Sequence, residues 1–86
     1  MKTHELKCWS VSFQAIKRGV KTADLRRNDR NFSVGDILRL REYDPGLGVA
    51  RYTGDEVRRE ITHIVSDTSF GTLRPDCVML SLKVIS

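Results

Sequence analysis

The sequence has few of the residues that announce a specialised class. It has only two cysteines, Cys8 and Cys77, far apart and in no Cys-x-x-Cys pair. That excludes a disulfide scaffold and a cysteine zinc site, and leaves two reduced thiols as the expectation. His4 and His63 are isolated and offer no metal-ligand spacing, so no metal is expected. There is no apolar run of about eighteen residues, which excludes a transmembrane helix and any expectation of a membrane partner. The start, MKTHELKCW, lacks the apolar stretch of a signal peptide, so a cytoplasmic location is expected. No Gly-rich phosphate loop, Gly-x-Ser-x-Gly elbow or internal repeat is found, and no cofactor is expected.

What is present suits one small domain spanning 1–86. Apolar residues make up 40% and charged residues 30% of the 86, the balance of an ordinary folded domain. Fifteen Lys and Arg against eleven Asp and Glu leave a net charge of +4. With a pI near 9.4, the balance favours a polyanionic partner.

Leu6 and Cys8 recur at period two in Thr3–Cys8, which predicts a first strand. Ser10 is the expected N-cap of a helix over 10–18, with Phe13 and Ile16, and then Val20, at helical spacing. Gly19 is the natural stop, since it accepts a left-handed conformation. Val20–Arg27 is read as extended, Asn28–Asp36 as punctuation, and Asp36–Tyr43 as a strand. Asp44–Gly54, with Pro45 and three glycines, is expected to form a long turn or hairpin arm. Val57–Val65 is the next strand, with Val57, Ile61 and Val65 on one face. Asp67–Asp76 is a second loop, and Val78, Leu80, Leu82 and Val84 mark a last strand. About five strands and one N-terminal helix, each with a single apolar face, predict an α+β domain whose sheet curls into a small β-barrel.

The stretch Lys17–Arg30 carries six of the fifteen basic residues, interleaved with Asp24 and Asp29. On an extended segment Thr22, Asp24 and Arg26 share one face and Ala23 and Leu25 the other. With Ala23 and Leu25 inward, Asp24 and Arg26 form an outward polar row that Lys21 joins through the turn at Gly19. One acceptor beside two cationic donors suits a nucleobase edge and its phosphate.

Gly19-Val20-Lys21-Thr22-Ala23-Asp24-Leu25-Arg26 resembles the Gly-x-Lys-x-x-Glu-x-Arg signature of ASCH domains, members of the PUA-like β-barrel superfamily. His4–Lys7 (HELK), Arg26–Arg30 (RRNDR), Val34–Pro45 (VGDILRLREYDP), Tyr52–Gly54 (YTG) and Val78–Lys83 (VMLSLK) follow in order. Together they resemble a family of short uncharacterised bacterial and phage proteins within that superfamily. The resemblance implies a barrel with a cleft between helix and barrel mouth, lined by the signature residues, and recognition of RNA or modified nucleobases. Gly19, Lys21 and Arg26 match the signature, while Asp24 stands where most members have Glu. Enzymatic relatives deacetylate cytidine with a Thr at the position of Asp24, activated by the preceding Lys and assisted by a later Glu. Here that hydroxyl is absent, and Thr22 is offset by two residues.

The expected nucleic-acid-binding residues are Lys21, Thr22, Asp24, Arg26, Arg27 and Arg30, with Tyr43, Tyr52 and Phe70 as stacking surfaces. Trp9, Phe13 and Phe32 are read as core. Arg51, Arg58 and Arg59 extend the positive surface. The leading expectation is a monomeric module that binds RNA or a modified nucleotide. Two alternatives stand beside it: a hydrolase of acylated nucleosides or RNA using Lys21 and Asp24, and a phage-type regulator that binds a host protein.

Overall fold

Alternation starts the chain as a strand. In β1 (Thr3–Trp9) His4, Leu6 and Cys8 are buried and the residues between them exposed. The helix α1 (Ser10–Lys17) follows without a loop and buries Phe13 and Ile16. These features come from a computed structural model, which describes residues 1–46, 49–66 and 73–85.

Ser10 is the first helical residue and not its cap. Trp9 holds the cap position and makes no side-chain cap bond. The Ser10 hydroxyl donates instead to the Tyr43 carbonyl at 3.4 Å, because the strand runs straight into the helix and β3 lies beside it. The far end of the helix matches expectation. Gly19 takes φ +81°, the Gly19 amide donates to the Ile16 carbonyl, and the Val20 amide donates to the Ala15 carbonyl. This is a Schellman closure, and it turns the chain away from the helix axis. Val20, past the closure, is exposed and does not continue the apolar stripe.

Four more strands complete the sheet: β2 (Ala23–Arg27), β3 (Ile37–Asp44), β4 (Arg51–Val65) and β5 (Cys77–Val84). Their order is β1-β3-β4-β5-β2. β1 runs parallel to β3, and all the other neighbours are antiparallel. The sheet curls into a half-barrel, with α1 packed on β1 and β3. The two edge strands, β1 and β2, face each other across the opening, where Arg26 Nη1 donates to the Lys7 carbonyl at 2.9 Å.

Two departures from the sequence pattern lie in β4. The strand begins at Arg51, pairing Arg51 with Asp44 and Tyr52 with Tyr43, so the expected 44–54 arm is a shorter connection. Gly54, at φ +95°, lies where the register shifts between the Arg41–Glu56 and Tyr43–Tyr52 pairs, an irregularity that propensity alone does not foretell. A second shift between Ile61 and His63 reverses the side-chain parity. Ile64, opposite Leu80, therefore packs against the core in the place expected of Val65.

The core lies on the concave side and includes Phe13, Ile16, Leu38, Leu40, Ile61, Val78 and Leu80. Each such side chain contributes about 1.5–3 kcal/mol by leaving water. Phe13 and Phe32 are buried as expected, but Trp9 is 54% exposed, because at the end of β1 it has the outward parity of Lys7 and Glu5. Cys8 is buried, Cys77 is half-buried, and both are free thiols.

Two buried carboxylates tie the layers together. Asp36 accepts hydrogen bonds from His4 Nε2 at 2.8 Å, from the Lys2 amide at 3.0 Å and from the Ser33 amide at 3.1 Å. The His4 bond, then the Lys2 amide, hold its pKa down to about 2. Glu42 accepts from Gln14 of the helix at 2.9 Å and from Thr53 of β4 at 2.8 Å, and these two bonds lower its pKa in that order. No helix among the described residues is long and apolar enough to cross a membrane.

Candidate functional site

The opening between the edge strands is a cleft of about 890 Å³. One wall is Lys7, Cys8 and Trp9 of β1, and the other is the segment from Val20 to Arg27. Ser12 of the helix and Met79 of β5 complete it. The cleft thus lies between two strands, with the helix at one end, and not between the helix and a barrel mouth. Among the described residues β1 and β2 do not pair, and the gap between them forms the cleft.

The sequence pattern inverts in β2. Asp24 is 6% exposed and Leu25 63% exposed, the reverse of the outward polar row expected with Ala23 and Leu25 inward. Asp24 and Arg26 pair opposite Leu80 and Val78, both core residues, so their side chains take the concave face. That face is apolar against β5 but ends at the gap to β1. A charged pair that bridges the gap is accommodated there, while Leu25 is left on the outside.

The pair is closely held. Arg26 Nε donates to Asp24 Oδ2 at 2.6 Å, and Arg26 Nη1 reaches across to the Lys7 carbonyl. Lys21 Nζ donates to the Ser12 hydroxyl at 3.0 Å and stands 3.8 Å from Asp24 Oδ1. Oδ1 is therefore flanked by a cation beyond hydrogen-bond reach and keeps acceptor capacity toward the cleft. One buried carboxylate lies between two cations at the base of a cleft whose rim carries an exposed indole.

Cys8 lines the same cleft. Burial, and then the nearby Asp24 carboxylate, raise its thiol pKa against the opposing pull of Arg26 and Lys21. A neutral buried thiol is a packing group, the opposite of an activated nucleophile.

Charge elsewhere is largely neutralised in place. On the outer face Arg39 forks onto Glu56 at 2.7 and 2.8 Å and also bonds Glu5 at 2.8 Å, while Arg41 bonds Glu5 at 2.9 Å. The Glu56 bond is the first cause that raises the pKa of Arg39, and the Arg39 bond likewise lowers that of Glu56. Lys17 pairs with Asp55. Arg59 Nη2 donates to the Ile16 carbonyl at the helix end, a structural use for one of the arginines expected to extend the positive surface. Arg51 lies within β4 and not on a turn, and Arg58 is exposed on the same strand. The cleft, by contrast, is lined among the described residues by Lys7, Lys21, Arg26 and Arg27 against the carboxylate of Asp24.

Of the residues expected from sequence, Lys21, Thr22, Asp24, Arg26 and Arg27 come together in this cleft. Arg30 lies outside it, in a smaller adjoining depression of about 210 Å³. Tyr43 and Tyr52 also lie outside. They form an edge-to-face row with Trp9, with ring centroids 5.4 Å apart for Trp9–Tyr43 and 5.1 Å for Tyr43–Tyr52. Phe70 falls outside the described residues. Sequence reasoning missed Trp9, Lys7 and Ser12. The one available signal was the odd-numbered parity of Lys7 and Trp9 on β1, opposite to buried Leu6 and Cys8. The described residues contain no group of three or more His, Cys, Asp or Glu able to hold a metal ion.

A protein of Escherichia phage P2, described as an uncharacterized 12.9 kDa protein in the GpA 3′ region, is similar to this chain. The two are 36% identical over 63 residues, which make up 73% of this chain and 54% of the phage protein. The chain thus spans about half the length of the curated relative it matches. A family model matches residues 3–82, from the first residue of β1 into β5, and takes in every residue that lines the cleft. On that match the chain belongs to the family described as domain of unknown function DUF3850.

Proposed function

We propose that the cleft between β1 and β2 binds a nucleotide, as part of RNA or as a modified nucleoside. The observation that carries this is the pairing of the buried Asp24, held by Arg26, with the exposed Trp9 across one basic cleft. A nucleotide has three parts to satisfy, and the cleft offers a group for each. The indole of Trp9 supplies a stacking face, an interaction that contributes about 1–3 kcal/mol per base. Asp24 Oδ1 can accept from an exocyclic amine, which favours cytosine and adenine over uracil. Lys21, Arg26 and Arg27 supply donors for phosphate or carbonyl oxygens. The cleft volume of about 890 Å³ falls within the range of about 300–1,000 Å³ usual for small-ligand sites.

The resemblance of Gly19 to Arg26 to the ASCH signature supports the same reading, since ASCH and other PUA-like domains are associated with RNA and modified bases. A curled five-stranded sheet with one helix is compatible with that superfamily. The Asp in place of Glu at position 24 shortens the acceptor by one methylene, and the Arg26 bond fixes its position. Recognition is favoured over hydrolysis because Asp24 is engaged by Arg26 and Cys8 is a neutral thiol.

The test is a titration of fluorescent single-stranded RNA at low and high salt, with the native chain and Arg26→Ala. Binding should weaken with salt at a log–log slope of about −2 to −4, as for roughly three to six phosphate contacts, and should be lost in the variant. Binding indifferent to salt, or unchanged in the variant, would remove the basis for the proposal.

A further inference from the structure

The smaller depression adjoins the cleft and shares Lys7, Arg26 and Arg27 with it, adding Arg30. Among the described residues its lining sets one carboxylate, Asp29, against these four basic residues. Among the described residues, neither of its peripheral arginines has a carboxylate within hydrogen-bond distance. Arg30 Nε is 3.9 Å from Asp29 Oδ1 and Arg27 Nε is 3.7 Å from Asp76 Oδ2, both beyond hydrogen-bond distance and between exposed side chains. Such pairs contribute little and exchange readily for a better acceptor. Arg26, in contrast, is taken up by Asp24 and the Lys7 carbonyl.

We infer that this protein binds a single-stranded oligonucleotide in preference to a mononucleotide, with a base in the large cleft and a neighbouring phosphate in the depression at Arg27 and Arg30. This rests on the nucleotide reading of the cleft and extends it. Apart from Arg26, the cations spread from Lys21 and Arg27 in the cleft to Arg30 in the depression are more than one phosphate can use. Successive phosphates of a strand match such a spread.

The spread also sets the direction of the strand. On the other side of Trp9, a cation already lies over each tyrosine ring. Lys7 Nζ is 4.2 Å from the Tyr43 centroid, and Arg41 Cζ is 4.1 Å from that of Tyr52. Arg41 is in turn bonded to Glu5. A base stacking there would have to displace both cations, whereas the described carboxylates beside Arg27 and Arg30 lie 3.7 and 3.9 Å away.

The experiment follows the fluorescence of Trp9, the one tryptophan of the chain, on titration with cytidine 5′-monophosphate and with tetracytidylate. Both ribose and deoxyribose forms of the tetranucleotide are used, with the native chain and Arg30→Ala. The tetranucleotide should bind about tenfold tighter than the monophosphate. In Arg30→Ala the ratio of the two affinities should fall toward one, and the salt slope for the tetranucleotide should become shallower by about 0.7. Gain in either sugar supports the inference, and the tighter sugar names the source of the strand. If the monophosphate binds but the tetranucleotide gains nothing, or keeps its gain in Arg30→Ala, the inference is overturned and the cleft reading survives. If neither probe alters Trp9 fluorescence, both are overturned.

Discussion

Arg26 Nε lies 2.6 Å from Asp24 Oδ2, two residues away on the same face of β2, and the same guanidinium spans the gap to the Lys7 carbonyl of β1. One side chain thus does two jobs: it neutralises the buried carboxylate of the cleft and joins the edges of an otherwise open sheet. Removing it leaves Asp24, among the described residues, with Lys21 Nζ at 3.8 Å as its remaining cationic neighbour. Arg26→Ala should therefore lower stability by about 1–3 kcal/mol, the cost of stranding a buried hydrogen-bonded group. Arg26→Ala with Asp24→Asn should recover part of that loss. Urea unfolding of the single and double variants measures both; a double variant less stable than Arg26→Ala would contradict the coupling.

On the proposed nucleotide reading, Trp9 serves binding and not folding. Being 54% exposed at the end of β1, it contributes little to the core. Trp9→Ala should change stability by less than about 1 kcal/mol. It should weaken nucleotide binding by about fivefold to 150-fold, the equivalent of one lost stack. Unfolding curves alongside a binding titration check the pair of outcomes. A large stability loss with unchanged affinity would return Trp9 to the core.

Acid sensitivity should trace to the buried His4–Asp36 pair. The folded pKa of Asp36 is held at about 2, below its ordinary 3.8. Folding therefore favours the ionised form, and this stabilisation is present above pH about 4 and is lost as pH falls toward about 2. The loss should be on the order of 2 kcal/mol. Asp36→Asn should be less stable at neutral pH and should show a flatter stability profile between about pH 4 and 2. Parallel profiles for the two proteins would place the acid sensitivity elsewhere.

Gly19 aims the cleft wall. Its φ of +81° closes the helix so that Lys21 can reach Ser12 and Asp24. A Cβ at this position meets no atom within 4 Å, so the cost of Gly19→Ala is conformational alone, about 1 kcal/mol. Gly19→Asn, which tolerates the left-handed region better, should lose less. Thermal unfolding of the two variants ranks them, and equal losses would argue against a conformational cause.

Elements whose pattern is local were legible in the sequence. Leu6 and Cys8 alternate in β1, Phe13 and Ile16 mark the helix, Gly19 ends it, and Val78, Leu80 and Leu82 alternate in β5. Less legible was everything fixed by strands distant in sequence. The parity of β2 follows from its place beside β5 at an open edge, which sends Asp24 inward and Leu25 outward. No pattern within Ala23–Arg27 encodes that neighbour. The shift that brings Ile64 inward in place of Val65 depends on pairing with β5, and Gly54 extends β4 through a segment that reads as a turn. The cluster of Lys21, Asp24 and Arg26 could be found because all three lie in one short segment. Lys7 and Trp9 carried only their outward parity on β1, because their partnership with β2 exists only across the gap.

The central claim, that the gap between β1 and β2 is a nucleotide site, is tested most directly by mapping backbone amide shifts on titration with cytidine 5′-monophosphate. Perturbations gathered on Lys7–Trp9, Lys21–Arg27 and Met79 would place the ligand in the cleft. Perturbations confined to the outer face around Arg39 and Glu56, or none at saturating nucleotide, would contradict it.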